Sequence, residues 1–520
     1  MQTDTDEKNR KDPEKVSLME SPKILTRNFS GCSSLDSSQM ATPKTEGIRH
    51  KDIQIQLEEP IPEYEGTRSR VLFIAAIDIG ATYSGYGFSS IFNPFDIEKN
   101  FSTTNDNALT TKILTAVLQR TENNEDLYGY DARKTYEEAL PGDREKLLFF
   151  CHFHQFYEKK GDMVVKAENG IEKPLKDILT IFIRYLLNLI LQRIKEVFNR
   201  TQDTTEGVRL EDVNAVVTYP VSWDEDLVSV LRSAAHAAGI SERSLYMVSE
   251  VQTVLPFLQV MPKHLLPLAK RETGRKVFQD IYNKDFIILD VGGERCEITK
   301  LRGREGQERS QNIEMRYFDW EADGPGERFI RFMKSLFGEY IISDLHTNYV
   351  EDYSLLLHNF ETEKHKISSN TQKIYLPIPT QLEDLVKEHT SQCSVKEHVE
   401  SKSRQKYSRG VTFENHKLHI DAEVFRVVIF KPALMLLSQH LKEFFEKDKN
   451  LSEISFLCMV GGYSNNKLFQ NEVKRFCDLN NLAVVVPDEA ELVILKGAIY
   501  AGHLHWFRCQ FEEKLKSLTY

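Results

Sequence analysis

Surplus positive charge, paired cysteines and long uninterrupted apolar runs are all missing from this 520-residue chain. The net charge of −11 leaves no broad basic surface, so nucleic acid is not expected as the main partner; a local anion pocket remains compatible with it. The seven cysteines are scattered and form no CxxC pair, and several sit inside apolar runs. They read as buried free thiols in a reducing compartment. The most apolar long stretch, residues 178–191, is interrupted by Arg184 and Asn188 and is too short to cross a bilayer, so no membrane partner is expected. Residues 1–20 are charged throughout, so no secretory leader is expected, and a cytoplasmic location follows. Residues 1–68 have almost no aromatics and are rich in Ser, Thr, Lys, Glu and Asp, which predicts a disordered tail. Ser21-Pro22 and Thr42-Pro43 are its phosphorylation candidates.

What is present is a composition ordinary for a globular protein, 41% apolar and 28% charged, on a chain long enough for several domains. One stretch organises it. Residues 71–77 are apolar without alternation, which suits a strand covered on both faces. The run ends in Asp78-Ile79-Gly80-Ala81-Thr82-Tyr83-Ser84, and a second strand follows. Bare backbone at Gly80 and hydroxyls at Thr82 and Ser84 make an anion cradle, and a carboxylate beside it can hold the water shell of Mg²⁺. The same unit returns: residues 286–289 are apolar and run into Asp290-Val291-Gly292-Gly293, and residues 294–301 read as the return strand. Two copies of one supersecondary unit predict two halves whose Asp-Gly turns face a common cleft.

Between the copies, residues 112–118 read as a third strand, 126–132 as a strand leading into a helix, and 174–198 as a long amphipathic helix. Residues 213–218, 223–239 and 246–249 give strand, helix and strand, closed by Glu250, which implies a parallel crossover. Beyond the second copy, residues 327–337 and 422–445 read as helices, 392–409 as a polar loop, and 456–460 as a buried strand entering Gly461-Gly462. Residues 465–477 read as a helix, 482–486 as a strand and 488–502 as a last helix, with a short polar tail after Gly502.

This order of motifs resembles the actin, sugar-kinase and heat-shock ATPase superfamily, and within it the seventy-kilodalton heat-shock proteins, nearest their divergent protein-12 branch. The resemblance covers about residues 71–502. Asp78–Ser84 is similar to the first phosphate loop, Ala215-Val-Val-Thr-Tyr-Pro220 with Glu250 to the first connecting segment, and residues 360–369 to the adenosine-side helix. Met459-Val-Gly-Gly462 is similar to the adenosine loop and Leu495-Lys-Gly-Ala498 to the last connecting helix.

The resemblance implies an α/β, two-lobed actin-like ATPase fold of the duplicated ribonuclease H-like kind, with a central nucleotide cleft. Residues 69–255 would be the first lobe, 256–490 the second, and 491–520 the connecting helix and a short tail. ATP would bind between the lobes with Mg²⁺ held through water. Asp78, Glu250 and Asp290 would surround the phosphates, with Asp78 and Asp290 nearest the metal. Gly80, Thr82, Tyr83, Gly292, Gly293 and Arg295 would line the phosphates. Lys364, Ser368, Gly461 and Gly462, with Asp488 nearby, would hold the nucleoside. The chemistry implied is in-line attack of water on the γ-phosphate.

The pattern also breaks. Where the family has Asp-x-Gly-Gly-Gly-Thr-x-Asp, this chain has Asp290-Val-Gly-Gly-Glu-Arg-Cys-Glu297. Two charges about 4 Å apart interact by roughly 4 kcal/mol at an effective dielectric near 20, so Glu294 facing phosphate would be costly and Arg295 facing it would offset that cost. Adjacent strand residues point oppositely, so one of the two is expected to face in. Ala81 replaces a threonine, His365 replaces an arginine, and the family's catalytic lysine falls near residues 149–154, where His152 and His154 stand instead. Only 18 residues follow Gly502 here, so a peptide-binding module is not expected. The expected function is an ATP-binding module with weak or absent hydrolysis that gates contact with a protein partner. The alternatives are a nucleotide-free scaffold and, less favoured, a small-molecule kinase.

Overall fold

A computed structural model describes residues 71–518 except 101, 104–108, 122–124, 152–162, 199–207, 261–284, 294, 303–310, 321–323, 365, 391–392 and 448–453. The expected tail with Ser21 and Thr42 lies outside the described residues, as do His152, His154, Glu294 and His365.

Two mixed sheets share one plan. The first comprises β1 (Phe73–Ile79), β2 (Tyr83–Ser90), β3 (Asn93–Lys99), the short β4 (Ile113–Leu114), β5 (Val213–Tyr219) and β6 (Leu245–Ser249). The second comprises β7 (Asp285–Val291), β8 (Arg295–Arg302), β9 (Gln311–Asp319), β10 (Ile454–Val460) and β11 (Ala483–Val485). Their strand orders are β6-β5-β1-β2-β3 and β11-β10-β7-β8-β9, with β4 paired to β2. In each, the central strand runs antiparallel to the next strand in sequence and parallel to a strand reached by a crossover. The repeat inferred from two Asp-Gly turns is therefore a repeat of whole-sheet topology. The central strands β1 and β7 are buried on both faces, which is why their apolar runs do not alternate.

Helices cover the sheets. Helix α1 (Gly129–Glu138) packs Ala132 against Leu114, Ala116, Leu118 and Phe149, and on the first sheet α2 (Leu175–Phe198) and α3 (Glu225–Ala237) bury an apolar face with β1 and β5. The next helix, α4 (Glu250–Val260), packs on the second sheet. There α5 (Pro325–Phe337), α6 (Val350–Lys364), α7 (Val395–Lys406), α8 (Ala422–Lys447) and α9 (Lys467–Leu479) enclose the largest core cluster. Helix α8, which contains a π-helical segment at Arg426–Phe430, is long and apolar enough by length and composition to cross a membrane. In this fold its Phe425, Ile429, Phe430, Ala433 and Leu437 are core residues.

Three expectations change. Residues 395–406, inside the stretch expected as a loop, are helical: α7 is capped by Ser394 and Glu397 in a reciprocal box and buries Val395, Val399 and Ser403. Its apolar stripe is one residue wide, too thin to stand out in a polar run. Residues 112–118 form two short strands, Ile113–Leu114 and Ala116–Arg120, in different sheets. The last helix, α10 (Val493–Leu518), continues through Gly502. A Cβ there would stand 2.5 Å from Ile74 Cγ2 and 2.6 Å from Val216 Cγ2, so this glycine admits the helix onto the sheet and does not stop it.

Candidate functional site

The two Asp-Gly turns have matching geometry. A Cβ on Gly80 would lie 2.4 Å from the Tyr83 carbonyl oxygen, and one on Gly292 would lie 2.7 Å from that of Arg295. Both turns are thus too tight for a side chain at that position. Asp78 faces Gly85 across the first ladder, whereas Asp290 faces Glu297 across the second. The loops meet: a Cβ on Gly293 would stand 4.0 Å from Thr82 Oγ1. Gly461, at the end of β10 with φ +90°, presses so close that a Cβ would fall 2.1 Å from Asp290 Oδ1.

Four carboxylates share this region, Glu297 buried and Asp78, Glu250 and Asp290 half-buried. Burial pushes the Asp78 carboxyl up, and a 2.6 Å hydrogen bond from the Thr218 hydroxyl pulls it back. Asp290 is pushed up to about 7 by burial and then by the charges of Glu297 and Asp78. Glu250, the first residue of α4, is raised well above the usual range by burial and then by Asp78, Glu297 and Asp290, with Arg295 pulling the other way. Glu297 is raised by burial against the pull of Ser222 and Arg295. Glu250 feels Asp78, Glu297 and Asp290, and Asp290 feels Glu297 and Asp78, so the cluster is short of positive charge.

Arg295 supplies some of it. Its Nε donates to Asp319 Oδ1 at 2.7 Å and its Nη1 to Ser222 Oγ at 2.9 Å, and its guanidinium lies over the Tyr317 ring at 5.1 Å. Ser222 then donates to Glu297 Oε1 at 3.1 Å. Among the described residues, Glu297 Oε2 and Ser249 Oγ are buried without a hydrogen-bond partner. Also among the described residues, no group of three His, Cys, Asp or Glu side chains could ligate a metal ion directly. A cation held here through water fits both the charge deficit and the orphaned Glu297 oxygen.

Of the residues expected on the nucleoside side, Lys364 lies beside the loop that begins at Gly461-Gly462. Lys364 ends α6 and is buried, with Nζ 3.1 Å from the Tyr463 hydroxyl and 2.5 Å from Glu361 Oε2. Burial works against its charge, but Tyr463 and Glu361 outweigh it and hold the ammonium protonated. The Lys364 carbonyl accepts from Asn466 Nδ2 at 3.0 Å, tying α6 to the loop that begins at Gly461-Gly462. Ser368 lies in a turn closed by Thr371, and its carbonyl accepts from Arg426 at 3.0 Å, in the π-helical segment of α8. The Tyr83 hydroxyl is pushed up by burial and then by Glu361, with Arg133 and Lys364 pulling the other way. Asp488 is exposed, and its neighbour Glu489 makes the ion pairs there, to Lys99 and Lys496.

Thr218, Ser222, Asp319 and Arg426 escaped the sequence reading. Thr218 and Ser222 flank Tyr219-Pro220, and hydroxyls bracketing a strand end were the available signal. Nothing local marks Asp319 or Arg426, which arrive from distant strands and helices.

No family model matches the chain. It is 22% identical to mouse heat shock 70 kDa protein 12A over 482 residues, covering 83% of this chain and 69% of that protein. Human heat shock 70 kDa protein 12A matches to the same extent. Human heat shock 70 kDa protein 12B is 20% identical over 497 residues, covering 86% of this chain and 71% of that protein. Over most of its length, and on a mixed α/β architecture, the chain is thus similar at family level to the heat shock 70 kDa protein 12 branch.

Proposed function

We propose that this chain is an ATP-binding protein of the heat-shock-70 type with weak or absent hydrolysis, and that its nucleotide state is read by a protein partner. In this reading the sheets belong to two lobes of an actin-like ATPase fold, residues 69–255 and 256–490, with residues 491–520 as the connecting segment. ATP or ADP lies between them. The observation that carries it is the meeting of two duplicated Asp-x-Gly turns with Gly461 pressed against Asp290. No side chain can occupy those backbone positions, which is the requirement of a phosphate cradle.

Gly80, Thr82, Tyr83, Gly292 and Gly293 line the phosphates. Asp78 and Asp290, with Glu250, orient the water shell of a Mg²⁺ ion. That ion, when bound, supplies the charge that draws the phosphate oxygens toward the carboxylates. Lys364, Ser368, Gly461 and Gly462 hold the nucleoside, with Asp488 at the rim. Hydrolysis is weak because Arg295 stands where the resemblance expects a hydroxyl and is already engaged by Ser222 and Asp319. Cleft closure around ATP then changes an outer surface that a partner binds. Neither nucleic acid nor a membrane is a partner in this reading, and the location is cytoplasmic.

A second reading, a nucleotide-free scaffold, draws on Lys364: its own neighbours Tyr463 and Glu361 already satisfy it. One titration separates the two. The melting temperature is followed against ATP and ADP, with and without Mg²⁺. Saturation 100-fold above the Kd adds about 2.7 kcal/mol of stability. A shift without phosphate release supports the binder, and a flat response at millimolar nucleotide leaves the scaffold.

A further inference from the structure

The two glycine turns are held from behind by different side chains acting on the same atom. Gly80 and Gly292 occupy the same place in the duplicated unit, each two residues after its aspartate. The Gly80 carbonyl accepts from the Thr115 hydroxyl at 2.8 Å, and the Gly292 carbonyl accepts from Trp320 Nε1 at 3.0 Å. Thr115 follows β4, off the main path of the first sheet, whereas Trp320 follows β9, at the edge of the second. Both donors are buried, at 1% and 2% exposure. Thr115 makes two further bonds to its turn. Its amide donates to the Thr82 carbonyl at 2.9 Å, and its hydroxyl oxygen, whose proton goes to Gly80, accepts from Ser84 Oγ at 2.8 Å. Trp320 is wedged edge-on between Phe318 and Phe469, with ring centroids 5.2 and 5.8 Å away. Phe469 belongs to α9, the helix that follows the Gly461-Gly462 loop, so the indole ties the second turn to that helix.

A trans peptide points its N–H opposite to its carbonyl. Fixing the Gly80 carbonyl toward Thr115 therefore turns the Ala81 amide away from Thr115. Fixing the Gly292 carbonyl toward Trp320 likewise turns the Gly293 amide away from the aromatic core. Gly293 is exposed and lies where the turns meet, since a Cβ there would stand 4.0 Å from Thr82 Oγ1. Among the described residues, neither the Ala81 nor the Gly293 amide meets a backbone acceptor. Two such amides in turns that meet make a concave donor set for an anion. The pins matter because glycine lacks the Cβ that restricts other residues, so the Gly292-Gly293 peptide is free to flip unless something holds its carbonyl. A flipped peptide would present an oxygen to the anion in place of an N–H.

We propose that Thr115 and Trp320 are positioning residues for the phosphate cradle: each pins one glycine carbonyl so that the next amide, of Ala81 or Gly293, donates to a phosphate oxygen of a bound nucleotide. The proposal rests on the nucleotide reading above and adds to it the side chains that aim the cradle's donors. Neither side chain touches the nucleotide; both act through the backbone of the turn. Hydrogen bonds from these amides to phosphate are charge-assisted and so depend on their direction being fixed in advance.

The test uses the full chain and its T115V, T115S and W320F variants, titrated calorimetrically with adenosine and ADP in the presence of Mg²⁺. Valine keeps the shape of threonine without the hydroxyl, and phenylalanine keeps an aromatic ring without the indole N–H. In T115V and W320F, ADP is expected to bind about tenfold more weakly, while adenosine stays within about twofold of the parent. T115S, which retains the hydroxyl, binds ADP like the parent. Should W320F misfold, benzothienylalanine at position 320 keeps the two-ring shape and lacks the N–H. ADP affinity unchanged in T115V or W320F of a nucleotide-binding parent overturns the role of that residue. Adenosine and ADP weakening in step also overturns it, since that is the signature of a packing role. A parent that binds neither ligand overturns the nucleotide reading and this inference with it.

Discussion

Arg295→Met keeps the aliphatic stem of the side chain and removes the guanidinium set against the carboxylate cluster. Three interactions are lost: the 2.9 Å bond to Ser222, the 2.7 Å ion pair with Asp319, and the contact over Tyr317. A hydrogen bond from a charged group contributes about 1.5–3 kcal/mol. The Asp319 pair is screened, since that carboxylate is 46% exposed, and is worth about 0–1 kcal/mol. Because the terms share one group and do not add fully, the expected loss is about 2–3 kcal/mol near neutral pH. The loss should also depend on pH in a defined direction. Arg295 lowers the proton affinity of Glu250 and Glu297, so without it the folded state binds more protons than before across the range in which these groups titrate. Stability then falls more steeply with rising pH in the variant, and the gap to the parent widens from pH 5 to pH 8. Chemical denaturation at several pH values measures this. Arg295→Lys, which keeps the charge without the fork, should recover most of the pH dependence and only part of the loss. A gap that stays constant with pH would refute the assignment of Arg295 to the cluster.

Gly461→Ala should cost several kcal/mol or displace Asp290, because its Cβ would meet Oδ1 at 2.1 Å at a φ of +90°. Among the described residues, the Cβ of Gly462→Ala meets only Lys112 Nζ, at 3.8 Å, so this variant should melt close to the parent; comparing the two melting temperatures checks both. Gly502→Ala should destabilise by about 1–3 kcal/mol through contact with Ile74 and Val216, readable by chemical denaturation. His503, whose Nε2 lies 2.8 Å from Ser89 Oγ, is lowered by burial to about 4 from 6.5. Its neutral form is stabilising above pH 6.5, and that stability is lost as the pH falls toward 4, amounting to about 2 kcal/mol by pH 5. His503→Gln should therefore flatten the melting temperature between pH 7.5 and pH 5, and an unchanged slope would count against it.

The sequence by itself determined the repeated unit. An apolar run that does not alternate, ended by an acid and a glycine, specifies a doubly covered strand and a tight turn through local sterics and burial, and it does so twice. Glu250 and Gly461 were legible for the same reason, each closing a short apolar strand. Helix α7 was hidden because its buried stripe is a single residue wide, and the continuation of α10 was hidden because a glycine that ends one helix admits another to a sheet. Only the tertiary structure decided what the altered second loop does. Whether Arg295 meets Ser222 and Asp319, and whether Trp320 meets Gly292, depends on strands far apart in the chain arriving at one place. Charge–charge energies follow distance and burial, and neither is written in the order of residues.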